Sequence, residues 1–229
     1  MRTNKALRSA IRLYKNRRYE MALRALQETN QNPAENPELS YYLGLCYTKL
    51  ENYEEAMLHL EQVVTSSGNI VHIYQSRMIL SYIYCITGRF KLAEFELKSL
   101  LESGYESAQV YAAFGFVAYS DGRTNDAVEF LQKSISLDPE NANALNSLGY
   151  ILAEEEIDIS YAISLCKRAV QLRPENPAYL DSLGWAFYRQ GSIKEARSQL
   201  RRALNLAGGN REIASHMRAA MSADDKKKR

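Results

Sequence analysis

Cysteine is scarce in this chain of 229 residues, and its three copies, Cys46, Cys85 and Cys166, lie far apart. An odd number at these separations forms neither a disulfide framework nor a CxxC metal or redox motif, so we expect a reducing compartment. Long apolar runs are lacking as well. Residues 1–20 contain no apolar core of a signal peptide, and no stretch approaches the roughly eighteen apolar residues of a membrane span. We therefore expect a cytoplasmic protein without a membrane partner, unless a leader has been removed.

A strong net charge is missing too, because 29 Lys and Arg residues face 27 Asp and Glu residues. This balance argues against a nucleic-acid partner, which requires a concentrated basic surface. The charges are unevenly distributed along the chain. Residues 1–24 hold eight basic residues and one acidic residue, residues 194–229 hold ten and four, and the middle section holds eleven and twenty-two. This asymmetry indicates either solvated helix faces or electrostatic attraction of a partner or a second copy.

Motifs for catalysis and cofactor binding are also lacking. The sequence contains no GxxxxGK phosphate loop, no GxGxxG and no HExxH, and His59, His72 and His216 show no metal-ligand spacing. Ser164 and Lys167 form an SxxK pair, but without the companion SDN and KTG motifs the pair is a chance match. We therefore predict no enzyme activity, no metal, no cofactor and no small-molecule substrate.

The sequence does contain an internal repeat. An alanine opens an apolar helical stripe every 34 to 37 residues, at Ala22, Ala56, Ala93, Ala127, Ala162 and Ala196. Another small residue lies twelve or thirteen positions before each of them, at Ala10, Gly44, Ser81, Gly115, Gly149 and Gly184. Two helices approach closely only where side chains are small, so each pair of small residues marks a helix crossing. The spacing therefore predicts six helix pairs.

This pattern resembles the tetratricopeptide repeat family, most clearly in LNSLGYILAEEEIDISYAISLCKRAVQLRPENP and YLDSLGWAFYRQGSIKEARSQLRRALNL. The resemblance implies an all-α fold, a right-handed solenoid of antiparallel helix pairs whose first helices line a concave face. A capping helix at 211–222 would complete a single repeat domain, 1–222, followed by a basic tail, 223–229. The six repeats are expected at about 3–36, 37–70, 74–107, 108–141, 142–176 and 177–210.

The family register also places the third and tenth positions of each first helix against the preceding repeat. In the fourth repeat these positions are Val110 and Val117, but in the first repeat they are Lys5 and Arg12. Burying two unpaired cations would be very costly. We therefore expect the basic face of the first helix to be the N-terminal cap.

The register assigns four further positions of each first helix to the concave groove, where aromatic residues recur. Leucines and alanines already fill the core positions, so we interpret these rings as a surface for a partner; structural infill of a tight superhelix is the alternative. No repeat has the Lys and Asn pair with which co-chaperone members of the family clamp a C-terminal carboxylate. Two asparagines in the groove would instead bond the backbone of an extended segment. The candidate partner-binding residues are Tyr14, Tyr41, Tyr82, Phe116, Tyr119, Asn143, Asn146, Tyr150, Trp185 and Tyr188.

These expectations lead to a non-catalytic protein–protein interaction scaffold that binds a peptide or helical segment of a partner protein through the aromatic groove. One alternative is a self-assembling structural component, a homo-oligomer in which the basic first repeat docks on the acidic middle section of another copy. Another alternative is an accessory subunit of a bacterial multi-protein machine of the cell envelope or of motility.

Overall fold

The computed structural model describes residues 2–227, with side chains described from residue 5 to residue 223, and all regular structure in this part of the chain is helical. The chain divides into two compact units, Met1–Glu106 and Ser107–Arg229. We call them the N-terminal unit and the C-terminal unit. Each contains hydrophobic clusters built from its own residues.

The N-terminal unit consists of three helix pairs, with a short 3-10 turn at Pro33–Glu35 between the first two. Each helix packs on its pair partner, and each later pair packs on the one before it. The helices are α1 (Arg2–Lys15), α2 (Tyr19–Gln27), α3 (Pro37–Lys49), α4 (Tyr53–Val64), α5 (Ile70–Ile86) and α6 (Phe90–Glu102).

The C-terminal unit contains three more pairs and a last helix, which packs on α11 and α12. Its helices are α7 (Ala108–Ser120), α8 (Thr124–Leu137), α9 (Ala142–Glu154), α10 (Ile159–Leu172), α11 (Pro177–Arg189), α12 (Ile193–Ala207) and α13 (Arg211–Lys227). The predicted all-α fold of helix pairs is confirmed.

The last helix is longer than the capping helix expected at 211–222. It continues to Lys227 because a docked helix extends by one hydrogen bond per residue, and Ala223 is a strong helix former. Of the predicted basic tail, Lys228 and Arg229 lie outside the described residues. No helix in the described part of the chain is long and apolar enough to cross a bilayer.

Side-chain caps begin several of the helices, among them α9 and α10. Asn141 Oδ1 accepts the backbone N–H of Ala144 at 3.1 Å, and Asp158 Oδ1 accepts that of Tyr161 at 2.9 Å. Such caps satisfy N–H groups that have no partner inside the helix. The turn inside the pair α11–α12 uses Gly191 with a φ of 83°, a conformation that favours glycine.

The small residues lie where the two helices of a pair cross. A Cβ atom added to Gly149 would be 2.6 Å from Cys166 Sγ and 2.9 Å from the Ala162 carbonyl oxygen, so only glycine fits that crossing. The predicted register agrees with burial as well. Lys5 and Arg12 are exposed, whereas the other first helices bury their equivalent positions, as the following residues show: Leu39, Cys46, Ser76, Ile83, Val110, Val117, Ala144, Ile151, Tyr179 and Ala186.

Candidate partner-binding site

The ten candidate residues are divided between the two units. Tyr14, Tyr41 and Tyr82 belong to the N-terminal unit, and the remaining seven belong to the C-terminal unit. Each unit has an open cavity lined by some of these residues. We call them the N-terminal cavity and the C-terminal cavity and describe them separately.

The N-terminal cavity, of about 750 Å³, is lined mainly by aromatic rings that pack against one another. Tyr41 stacks on His72 with ring centroids 4.0 Å apart and meets Tyr42 edge-on at 5.2 Å, and Tyr42 in turn contacts Tyr14 at 5.9 Å. The Tyr41 hydroxyl donates to Gln75 Oε1. Burial raises the pKa of Tyr14 and Tyr41 to about 12. The side chain of Tyr41 is therefore mostly packed against its neighbours, and only an edge of its ring faces the cavity.

His72 is a residue of this cavity that the sequence analysis missed. The third repeat was expected to begin at residue 74, but α5 begins one helical turn earlier, at Ile70, and the extra turn carries His72 into the cavity wall. The signal was present in the sequence, because Asn69 is a good N-cap residue and its side chain accepts the N–H of Val71 at 2.9 Å.

Tyr82 does not line the N-terminal cavity itself. It is 46% exposed and lines a neighbouring pocket with Thr48, Lys49 and Tyr53. The two pockets adjoin, because Met78 and Ile79 line both of them.

The C-terminal cavity, of about 470 Å³, brings four candidates together: Phe116 and Tyr119 from α7, and Asn146 and Tyr150 from α9. Phe116 is 42% exposed, so its ring is accessible from the solvent. The rings of Tyr119 and Tyr150 meet edge-on at 6.5 Å, and the Tyr119 hydroxyl donates to Glu155 Oε1 at 3.4 Å. Residues of α11 and α13 complete the wall.

The two candidate asparagines have different environments. Asn143 accepts a hydrogen bond from the Tyr179 hydroxyl, so its side chain links α9 to α11. Asn146 lines the cavity, and its Oδ1 is buried with no hydrogen-bond partner among the described residues. An unsatisfied buried acceptor costs about 1–3 kcal/mol. Asn146 is therefore the candidate residue whose acceptor no described residue satisfies.

Trp185 and Tyr188 are held by the last helix. Trp185 stacks on Tyr188 with ring centroids 4.9 Å apart and on His216 of α13 at 4.3 Å, and its indole N–H donates to Glu154 Oε2 at 2.5 Å. His216 Nδ1 lies 3.0 Å from both carboxylate oxygens of the buried Asp181. The groove register did not reveal the role of His216, because α13 lies outside the repeats.

The charges around the C-terminal cavity are mainly negative. Burial lowers the pKa of His216, but its hydrogen bond with Asp181 and the charges of Asp181, Glu212 and Glu154 outweigh burial, so the pKa of His216 is raised. Burial and the same three carboxylates raise the pKa of Tyr150 above its usual range. Among the described residues, no group of three or more His, Cys, Asp and Glu side chains is arranged to hold a metal ion.

Two models of the tetratricopeptide repeat match the sequence. One matches residues 7–69 and 158–211, which is just over half of the chain, and the other matches residues 108–141. No curated protein matches this chain in sequence.

Solved structures of low sequence identity share the fold. A tetratricopeptide repeat protein from Parabacteroides merdae is 13% identical with a TM-score of 0.79, over 96% of this chain and 84% of that one. The Cut9–Hcn1 hetero-tetramer of the APC/C is 12% identical with a TM-score of 0.78, over 95% of this chain, which spans 42% of that chain. YrrB, described as a TPR protein with an unusual peptide-binding site, is 15% identical with a TM-score of 0.52, over 77% of this chain and 89% of that one.

Proposed function

Since this chain belongs to the tetratricopeptide repeat family, we propose that it is an interaction scaffold that binds an extended segment of a partner protein in the C-terminal cavity. Members of this family are generally non-catalytic scaffolds, and the fold of this chain is consistent with that role. The proposal requires neither a catalytic group nor a cofactor.

The observation that carries the proposal is the buried, unpartnered Oδ1 of Asn146 beside accessible aromatic rings. A donor group of the bound segment supplies the missing hydrogen bond. Phe116 and Tyr150 then contact a side chain of the segment, because aromatic rings bury a large area at little conformational cost.

The structural relatives support a protein partner without identifying one. Cut9–Hcn1 is a complex of protein chains, and YrrB has a peptide-binding site. Their identities to this chain are 12% and 15%, so the resemblance extends to the fold alone. The location of the site in this chain therefore rests on its own residues.

The test begins with a library of random peptides displayed on phage and selected on the immobilised protein. Selected peptides are then synthesised with a fluorescent label, and their affinities are measured by fluorescence anisotropy. We expect Asn146→Ala to weaken binding about three- to tenfold, the value of one hydrogen bond, and Phe116→Ala to weaken it about fivefold or more.

Phe95→Ala is the matched control, because Phe95 is a 59% exposed phenylalanine of α6 that lines neither cavity. The Phe95→Ala variant should bind the peptides with the affinity of the wild type. Equal affinity in the Asn146 and Phe116 variants as well would reject the C-terminal cavity as the site. Tyr42 lines the N-terminal cavity. If Tyr42→Ala were the one variant that lost binding, the peptides would be assigned to the N-terminal cavity instead.

Self-association is the second candidate function, favoured by the charges. Lys5, Arg8 and Arg12 are exposed on α1, and Glu155 and Glu156 are exposed after α9. If these surfaces pair between copies, light scattering should detect dimers or larger species at low salt and monomers at high salt. A constant monomer mass across the salt series would exclude this function.

A further inference from the structure

We infer that the C-terminal cavity selects an arginine side chain of the partner segment. The inference rests on the proposed function and adds the chemistry of the ligand. It is argued from the hydrogen-bonding groups, the charges and the rings that line the cavity.

The charged groups in the wall of the cavity are hydrogen-bond acceptors. Asn146 contributes a buried Oδ1 without a partner in the described part of the chain, Glu212 contributes an exposed carboxylate, and the carboxylate of Asp181 is already bonded to His216. Of the described side chains that line the cavity, none belongs to Lys, Arg or His. A ligand group that fits these walls must therefore be rich in donors, and a guanidinium carries five N–H donors and no acceptor.

The surrounding charges favour the same ligand. Glu154 and Glu155 add negative charge beside Tyr150 and Tyr119. The nearby cations already have partners, because Arg189 Nη2 lies 2.8 Å from both the Glu154 carbonyl oxygen and Glu156 Oε1, and His216 is paired with Asp181. The carboxylates around the cavity outnumber these two cations, so the field in the cavity is negative, and it attracts a cation and repels a carboxylate.

The aromatic walls favour arginine over lysine and over an apolar side chain. A planar guanidinium stacks on rings such as Phe116 and Tyr150, whereas a lysine ammonium is a more strongly hydrated point charge. A purely apolar side chain would fill the same space but would leave Asn146 Oδ1 buried without a donor, at a cost of about 1–3 kcal/mol. Arginine is the side chain that satisfies the acceptor, the charge and the rings together.

The first experiment uses a peptide from the selection described above that requires Asn146 for binding. Each basic residue of the peptide is replaced in turn by citrulline, which keeps the shape of arginine and removes its charge, and by lysine, which keeps the charge. We expect citrulline at one position to weaken binding about tenfold or more, and lysine there to weaken it by a smaller factor. Higher salt should weaken the arginine peptide more than the citrulline peptide.

The second experiment removes a charge from the protein. Glu212 is an exposed residue of the cavity wall, so we expect Glu212→Gln to fold normally and to bind the arginine peptide about three- to tenfold more weakly. Glu129→Gln is the matched control, since Glu129 is exposed on α8 and lines neither cavity. The citrulline peptide should bind the wild type and both variants with similar affinity.

The outcomes separate this inference from the proposed function. The arginine inference would be overturned if peptides that bind Asn146→Ala more weakly than the wild type contained no basic residue. It would also be overturned if citrulline at every basic position left the affinity unchanged. In both cases the peptide-binding function would stand. Failure to select any peptide that depends on Asn146 or Phe116 would overturn both.

Discussion

The contact between His216 and Asp181 predicts how the last helix is held and how its docking depends on pH. His216 Nδ1 lies 3.0 Å from both Asp181 oxygens, the two side chains are 12% and 9% exposed, and the imidazole stacks on Trp185. A charged hydrogen bond contributes about 1.5–3 kcal/mol and a ring pair about 0.5–1.5 kcal/mol. We therefore expect His216→Ala to lower the free energy of unfolding of the C-terminal unit by about 2–4 kcal/mol at mildly acidic pH.

The direction of the pH dependence follows from the raised pKa of His216. A histidine whose pKa is higher in the folded state stabilises the fold fully below its unfolded pKa of about 6.5, and this contribution is lost as the pH rises through the folded pKa. The C-terminal unit should therefore be more stable in mildly acidic than in mildly alkaline solution. His216→Ala should remove this slope, because the other two histidines belong to the N-terminal unit.

Urea unfolding followed by Trp185 fluorescence measures this directly, since Trp185 is the single tryptophan of the chain and lies in the C-terminal unit. A double-mutant cycle with His216→Ala and Asp181→Asn should give a coupling of about 1–3 kcal/mol at mildly acidic pH and a smaller one at alkaline pH. Additive effects of the two substitutions, or the same pH slope in His216→Ala as in the wild type, would refute the reasoning.

Three further predictions concern packing, pH and backbone strain. Gly149→Ala should destabilise the C-terminal unit by about 1–3 kcal/mol in the same urea assay and by more than Gly184→Ala, because its Cβ would meet a backbone oxygen at 2.9 Å rather than 3.2 Å. Burial lowers the pKa of His59 and His72, so hydrogen exchange in the N-terminal unit should become faster as the pH falls below about 6.5, after correction for the intrinsic rate; an unchanged protection would contradict this. Glu51 has a φ of 59°, so Glu51→Gly should raise the stability of that unit by up to about 1 kcal/mol in thermal unfolding, and a loss would show that its side chain matters more than its backbone strain.

Much of the fold was predictable because its determinants are local and repeated. Pairs of small residues such as Gly149 and Ala162 mark the helix crossings, and both are buried there. The register also separated the exposed Lys5 and Arg12 from the buried positions of later repeats. A periodic pattern predicts helix crossings and buried positions reliably, since every repeat meets the same packing requirement.

The candidate site was predictable only in part. The register brought Phe116, Tyr119, Asn146 and Tyr150 to one wall, and the structure places them together. It assigned Asn143 the same role, and it did not reveal that the hydroxyl of Tyr179 donates to Asn143 Oδ1. Hydrogen bonds between repeats depend on which side chains meet across the stack, and the register of a single helix does not contain that information.

The sequence by itself determined that this protein is a stack of helix pairs, where the pairs cross and which helix face is open, because these features follow from helical period and side-chain size. Only the tertiary structure decided which of the positions on that face are packed and which are exposed or unsatisfied. The extra turn of α5 added His72 to the N-terminal cavity, and α13 covered Trp185 with His216 while it left Asn146 Oδ1 without a partner in the described chain. These outcomes arise from contacts between residues distant in sequence, whose energies depend on the assembled fold and not on any local pattern.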